Sequence, residues 1–236
     1  MGESELELIP LKCPECGENI ESGEEDLVHF CSFCGNGFEV VYNKIRKIDV
    51  LFAKPEREVR NKKIYYLPMW RIPTNIYIEK KFNIKINQLP SEILSNEKFA
   101  KSLIDLFNKE KAQKKITFFV PAYGVTNKYL LSDQPELHFT ITQPEIIPDS
   151  PKDMVGAEYS LEDAKELAKV MFFSIQMQTK SFFKEEDVNF EFIDGNIVGV
   201  PFYEEGGMLI DGIKGCKIFK DSLTKWDKIK DYKENL

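Results

Sequence analysis

The hydrophobic and polar positions beyond residue 44 follow two different periods. A helical period occurs twice, at residues 97–111 and at residues 161–178, the second behind a capping-box pattern that starts at Ser160. Short apolar or alternating runs bounded by Pro and Gly predict strands at residues 48–53, 64–73, 75–82, 116–125, 136–142, 188–193, 197–203, 208–210 and 216–219. Asp194-Gly195 predicts a hairpin turn. Together these patterns predict an α+β fold with a mostly antiparallel sheet and two main helices.

Three of the strands contain an aliphatic residue, Pro, an apolar residue and a large aromatic residue in series. The copies are Leu67-Pro68-Met69-Trp70, Val120-Pro121-Ala122-Tyr123 and Val200-Pro201-Phe202-Tyr203. Because Pro cannot donate to a ladder, we expect each copy at a strand edge, a strand end or a bulge. The pattern suggests an internal β-Pro-β-α repeat, for which chance similarity is the alternative.

Four of the five cysteines form two CxxC pairs, each followed directly by Gly: Cys13, Cys16, Cys31 and Cys34. Two thiolates three positions apart on a tight turn converge on one metal ion, and two such knuckles complete a tetrahedral site of four sulfurs. We predict one structural Zn²⁺, with iron as the alternative. Disulfides would require export, which nothing at the N-terminus indicates, and a redox dithiol usually has a single CxxC near a βαβ pattern.

Residues 11–42 resemble a zinc ribbon, as found in archaeal and eukaryotic transcription initiation factors, RNA polymerase small subunits and ribosomal proteins. The four cysteines, Gly17 and Gly35 carry the resemblance. The resemblance implies three short strands, which fit at residues 19–21, 27–30 and 37–43. It also implies a metal site whose four coordination positions are all occupied by the cysteines. The Pro-containing strands also resemble the YLPxW- and VPAF-like strands of uncharacterised prokaryotic zinc-ribbon proteins. We therefore predict a zinc ribbon at residues 1–43 and an α+β domain at residues 44–236.

Composition and charge narrow the functional classes. The chain has 236 residues with 42% hydrophobic and 30% charged residues, as in folded proteins. No run approaches the roughly 18 apolar residues of a membrane span, and the acidic start has no basic n-region, so we expect a cytoplasmic protein. Residues 1–30 hold nine acids and one Lys, whereas residues 44–115 hold 18 bases and eight acids. The acidic flanks either neutralise the basic middle or form a bipolar surface.

The sequence contains no catalytic motif, and we predict no catalytic residue. Cys216 is expected to be a small buried hydrophobe, with a reactive thiol as the alternative. Because an acidic ribbon would be repelled by nucleic acid, we predict a non-enzymatic protein that uses its ribbon to dock an unidentified protein partner. The alternative is nucleic-acid binding by residues 44–115, whose basic and aromatic side chains suit single strands: Arg57, Arg60, Lys62, Lys63, Tyr65, Tyr66 and Trp70.

Overall fold

The computed structural model describes residues 11–20, 22–23, 25–41, 44–57, 62–126, 135–147, 154–177, 187–224 and 226. The strands in these ranges are β1 (Val28–Phe30), β2 (Gly37–Val41), β3 (Lys44–Ile48), β4 (Val50–Ala53), β5 (Ile64–Ile78), β6 (Ala112–Pro121), β7 (Ile146–Ile147), β8 (Val188–Phe192), β9 (Asn196–Glu205), β10 (Met208–Asp211) and β11 (Lys217–Phe219). The α-helices are α1 (Ser91–Leu94), α2 (Glu97–Asn108), α3 (Pro135–Ile141) and α4 (Leu161–Met177).

The strands form two sheets. The first is antiparallel with the order β1-β2-β3, and the second has eight strands. In the second sheet β5 is central: β6 pairs with one edge, and β8 and β9 pair with the other. The ladder between β4 and β9 is parallel, and the others in this sheet are antiparallel. The predicted α+β fold with a mostly antiparallel sheet is therefore confirmed.

Two apolar cores lie on opposite faces of the long strand β5. Its even-numbered side chains from Tyr66 to Ile78 are buried, whereas the odd-numbered ones are buried only from Tyr65 to Met69. The helix-side core joins Trp70 and Ile72 to α2 and α4, and the opposite core joins Leu67 and Met69 to β9 and β10. The two predicted helices thus pack on one face of the sheet, as their single apolar stripes require.

The hairpin predicted at Asp194-Gly195 is wrong. β8 and β9 do not pair with each other but follow one another along the same edge of β5. Thr74 lies opposite Phe192, and Arg71 lies opposite Asn196. Three residues between β8 and β9 (193–195) therefore face two residues of β5 (72–73). The dipeptide therefore lies in a bulge, a setting that interrupts a ladder without reversing the chain.

The strand predicted at residues 136–142 is wrong as well, because this segment forms helix α3. Pro135 stands at its first position, where a missing N–H costs nothing. α3 packs against β6, where the buried Thr140 hydroxyl accepts the Phe119 N–H at 3.0 Å and donates to the Glu136 carbonyl at 2.7 Å. The helix thus provides a hydrogen-bond acceptor for one backbone N–H on the edge of β6, where a neighbouring strand would otherwise be needed.

The three prolines share one setting. Pro68 lies just beyond the end of the β5–β6 ladder, and Pro121 is the last residue of β6. Pro201 lies on β9 between its ladder with β4 and its ladder with β10. The expectation of a strand edge, a strand end or a bulge is therefore confirmed for Pro121 alone, because Pro68 and Pro201 lie inside the β5–β9 ladder, each beside the end of a ladder on the other edge of its strand.

The aromatic residues of the same pattern do not share a setting. Trp70 lies in the helix-side core, where its indole N–H donates to the Tyr159 carbonyl at 2.9 Å. Tyr123 lies in the opposite core, and Tyr203 is partly exposed beneath the Lys62 ammonium. The similarity is thus confined to the prolines, and the predicted β-Pro-β-α repeat does not appear as a structural unit.

In the described part of the chain, no helix is both long and apolar enough to cross a membrane.

Candidate metal centre

The two CxxC segments fold into the same local structure. In each, the N–H of the following Gly donates to the carbonyl of the first Cys, from Gly17 to Cys13 at 2.9 Å and from Gly35 to Cys31 at 2.8 Å. Both glycines have positive φ, 80° and 74°, which side chains with a Cβ rarely adopt. The sequence CxxCG therefore produces a knuckle twice, and each knuckle turns its two sulfurs to the same side.

The four predicted cysteines come together at one point. Their Sγ atoms all lie within 4.8 Å of one another, with 3.5 Å between Cys13 and Cys34 and 3.6 Å between Cys16 and Cys31. Four sulfurs at the usual Zn–S distance of about 2.3 Å form a tetrahedron with edges of about 3.8 Å. The cluster is therefore a candidate metal site with four ligands, and a metal held by all four would have no open position for a substrate.

The proximity of the four sulfurs changes the proton affinities of the thiols. The Glu18 N–H favours the Cys16 thiolate, but burial and the three neighbouring sulfurs together raise the pKa of Cys16 to about 12. Burial also raises the pKa of Cys31. At Cys34 burial opposes ionisation, yet hydrogen bonds from Asn36 outweigh it and lower the pKa to about 7. Four thiolates this close repel one another, and a metal ion removes that repulsion.

Asn36 is a site residue that the sequence analysis missed. Its side-chain amide donates to the Cys34 sulfur at 3.1 Å, and its carbonyl accepts the Cys31 N–H at 3.0 Å. Such contacts orient a ligand and stabilise its charge. The signal was local, since Asn follows the Gly of the second knuckle, but Asn is also common in turns for other reasons.

No family model, curated protein or solved structure matches this chain. The likeness to a zinc ribbon therefore rests on the two knuckles and on the three antiparallel strands beside them, with which it is compatible.

The third strand of this sheet is not the one expected. Asn19 and Ile20 belong to no strand of the sheet, and Glu21 lies outside the described residues. Asn19 makes an isolated bridge with Lys12, and β3 (Lys44–Ile48) pairs with β2 instead. We call residues 11–48 the cysteine module. The division into residues 1–43 and 44–236 stays a prediction, and the strands on either side of it pair with each other.

One face of the cysteine module is anchored to the rest of the protein. Glu39, only 2% exposed, accepts the N–H of Leu161 at 3.1 Å, at the start of α4, and also pairs with Arg46. Val28 and Ala157 bond to each other in both directions at 3.1 and 3.0 Å. A carboxylate at a helix N-terminus is favourable because it accepts an N–H that the helix leaves free.

The module exposes several apolar side chains. Phe33, between the two cysteines of the second knuckle, is 70% exposed. Val40 and Ile45 are 50% and 58% exposed, and they lie directly opposite each other in the β2–β3 ladder. Exposed apolar side chains that are neighbours, such as Val40 and Ile45, are candidates for an interaction site.

The module is less acidic than its sequence predicts, because β3 comes from the basic segment. Lys47 lies 3.5 Å from Glu15, and Arg46 pairs with Glu39. Acidic flank and basic middle thus neutralise each other in part, which is one of the two outcomes that the charge distribution allowed.

The residues of the nucleic-acid alternative do not form an open stacking surface. Tyr65, Tyr66 and Trp70 are buried, at 9%, 9% and 0% exposure. Lys62 lies over the Tyr203 ring and pairs with Glu205, and Lys63 lies over the Tyr65 ring. Arg57 is exposed and donates to the Lys214 carbonyl, while Arg60 lies outside the described residues.

Asp211 and Cys216 are buried residues of a chemically reactive type, and the surroundings of each indicate a structural role. The Asp211 carboxylate is fully buried and accepts the backbone N–H groups of Ile213, Lys214 and Cys216, so it shapes the turn between β10 and β11. Cys216 is 4% exposed, as expected for a small buried hydrophobe. It is not part of the four-cysteine cluster.

Proposed function

We propose that this chain is a non-enzymatic, cytoplasmic zinc protein whose cysteine module docks a protein partner. The observation that carries the proposal is that the module, although anchored to the rest of the protein, keeps large apolar side chains exposed. It is anchored through Glu39 and Val28, while Phe33, Val40 and Ile45 are exposed. A structural metal would hold the knuckles rigid, so that Phe33 is presented without loss of conformational freedom on binding.

Zinc is favoured over iron by the surroundings of the sulfurs. Cys16 and Cys34 are only partly buried, and Phe33, the aromatic residue next to Cys34 in sequence, is 70% exposed and does not belong to the buried cluster around the sulfurs. A redox iron site depends on burial and on hydrogen bonds to its sulfurs to set its potential. Elemental analysis of purified protein should find about one zinc and no stoichiometric iron per chain, whereas about one iron per chain would contradict the assignment.

The docking role is tested by placing a photo-crosslinking amino acid at position 33 of the full chain. Crosslinking in the native cell should give one dominant protein adduct. In a separate co-purification experiment, Phe33→Ser should reduce the recovery of that protein at least tenfold. Phe219→Ser is the matched control, because Phe219 is 43% exposed on β11, in the other sheet. A partner that binds equally well to both variants and to the metal-free protein would contradict the proposal.

Nucleic-acid binding remains the competing function, and salt separates the two. A nucleic-acid binder would hold single-stranded DNA or RNA at low salt with an affinity that falls steeply as salt rises. The burial of Tyr65, Tyr66 and Trp70 removes the stacking part of that interface. We therefore expect no saturable binding of single strands. Tight, salt-dependent binding that Lys62→Glu abolishes would replace docking as the function.

A further inference from the structure

We propose that the outer edge of β3 binds an extended acidic peptide of a partner protein, which adds a fourth strand to the sheet of the cysteine module. This inference rests on the docking role proposed above and specifies the chemistry of the partner.

The backbone of β3 is available on one side. β3 is the end strand of its sheet, and among the described residues its ladder is with β2 alone. The other end strand, β1, differs because Val28 is already bonded to Ala157. An end strand with a free side presents N–H and C=O groups that an extended peptide can pair with, which is a common mode of peptide recognition.

The charge of β3 selects the partner. Its five residues, Lys-Ile-Arg-Lys-Ile, include three bases. Arg46 pairs with Glu39, but Lys44 is exposed and Lys47 keeps 48% of its side chain exposed beside Glu15. Two copies of such an edge would repel each other, so a second copy of this chain is a poor occupant. Because side chains alternate between the two faces of a strand, Lys44 lies on the face opposite to Ile45 and Lys47, and a strand with acidic side chains on that face would gain from Lys44.

The exposed apolar residues of β2 and β3 indicate which residues the partner should have between its acidic ones. Lysines on an end strand can also serve to prevent unwanted strand pairing, but an edge with that role alone would be expected to carry polar residues between its lysines. Here Ile45 and Val40 form an exposed apolar pair on one face of the sheet. A fourth strand would place one of its side chains beside Ile45. The partner should therefore alternate acidic and apolar residues, the period of a strand.

The test uses the full, zinc-loaded chain and a fluorescent peptide of alternating Glu and Leu, measured by fluorescence anisotropy at low salt. We expect saturable binding that Lys44→Glu weakens at least tenfold. The matched control, Lys98→Glu, changes an exposed lysine far from the module in sequence and should alter the affinity less than twofold. Zinc content is measured for each variant, so that loss of the module's fold is recognised.

Two further peptides separate strand addition from simple charge attraction. Replacing every Glu by Lys should abolish binding. Methylating alternate backbone nitrogens blocks one hydrogen-bonding edge of the peptide, so one of the two methylated forms, but not the other, should lose most of its affinity. Equal binding by both methylated forms, no binding of the acidic peptide, or binding unaffected by the β3 variant would each overturn the proposal. If Phe33-dependent capture of a partner persists in that case, the docking role stands and only the strand addition is lost.

Discussion

The cysteine module and the eight-stranded sheet region are stabilised by different means. The buried core of the module consists of Cys13, Ile20, Cys31 and Phe38, so half of its residues are cysteines of the candidate metal site. The sheet region has an apolar core on each face of β5, with fully buried aromatic side chains in both. A segment of this size cannot bury enough apolar surface to fold alone, and a metal ion bound by the four cysteines would supply what the core lacks. The comparison teaches that packing accounts for the sheet region, whereas the module requires a further source of stability that its cysteine cluster can provide.

The largest expected effect is the loss of the metal site. Cys31→Ser removes a ligand that is 2% exposed and should reduce bound zinc from about one per chain to near zero. Metal binding supplies about 10–16 kcal/mol of apparent folding free energy in zinc-finger peptides, so the module should become sensitive to limited proteolysis. The sheet region should keep a cooperative thermal transition at a lower midpoint, because Val28 and Ile48 of the module belong to the helix-side core.

The control for this prediction is Cys216→Ser, which changes a cysteine outside the cluster. It should leave zinc content unchanged. If Cys31→Ser retained full zinc, the four-ligand site would be wrong; if it unfolded the whole chain, the two regions would not differ as described.

The next effect is expected on the packing side of the comparison. Phe172 is fully buried on α4, and its ring centre lies 5.5 Å from that of Phe107 and 5.3 Å from that of Phe190. Phe172→Ala should lower the free energy of unfolding by about 3–5 kcal/mol in urea denaturation. Val170→Ala, at a 63% exposed position on the same helix, should change it by less than about 0.5 kcal/mol. Zinc content of the folded protein should stay the same in both variants.

A smaller effect is expected where the two regions meet. Glu39→Ala leaves the Leu161 N–H without its acceptor and Arg46 without its partner. Because Arg46 keeps 40% of its side chain exposed, we expect a loss of about 1–3 kcal/mol rather than the larger cost of a fully buried charge. Hydrogen exchange at the first turn of α4 should become faster. Glu18→Ala, an exposed acid of the same module, should leave that exchange rate unchanged.

The smallest effect concerns a buried hydroxyl in the opposite core. The Tyr123 hydroxyl has no hydrogen-bond partner in the described part of the chain, and burial, with the nearby Glu136 charge, raises its pKa above the ordinary value. The folded chain keeps this proton while the unfolded chain loses it near pH 10, so stability falls as the pH rises above about 10. Tyr123→Phe should raise stability at pH 7 by up to about 1 kcal/mol and reduce the alkaline loss.

Unfolding curves at pH 7 and pH 11 measure this effect, with Tyr203→Phe at a partly exposed position as the control. A clear loss of stability in Tyr123→Phe at pH 7 would mean that the hydroxyl has a partner.

Short-range patterns predicted the parts of this protein that depend on neighbours in sequence. The CxxCG knuckles were predicted because both ligand convergence and the turn are set within five residues. The helices predicted at residues 97–111 and 161–178 are observed as α2 and α4, since a single apolar stripe and a cap define a helix locally. The capping box is present, with the Asp163 N–H donating to the Ser160 hydroxyl at 3.1 Å.

Tertiary structure decided everything that depends on which segment lies beside another. Asp194-Gly195 has the composition of a hairpin turn, yet the length of β5 lets β8 and β9 share one edge, so a bulge suffices. Residues 44–48 join the module's sheet although their charge belongs to the basic middle, because a third strand is selected by pairing with β2 and not by composition. Burial of Tyr65, Tyr66 and Trp70 likewise follows from the layers on both faces of β5. Local sequence sets the conformations a segment can adopt, but the partner on each face and edge is contributed by residues far away along the chain.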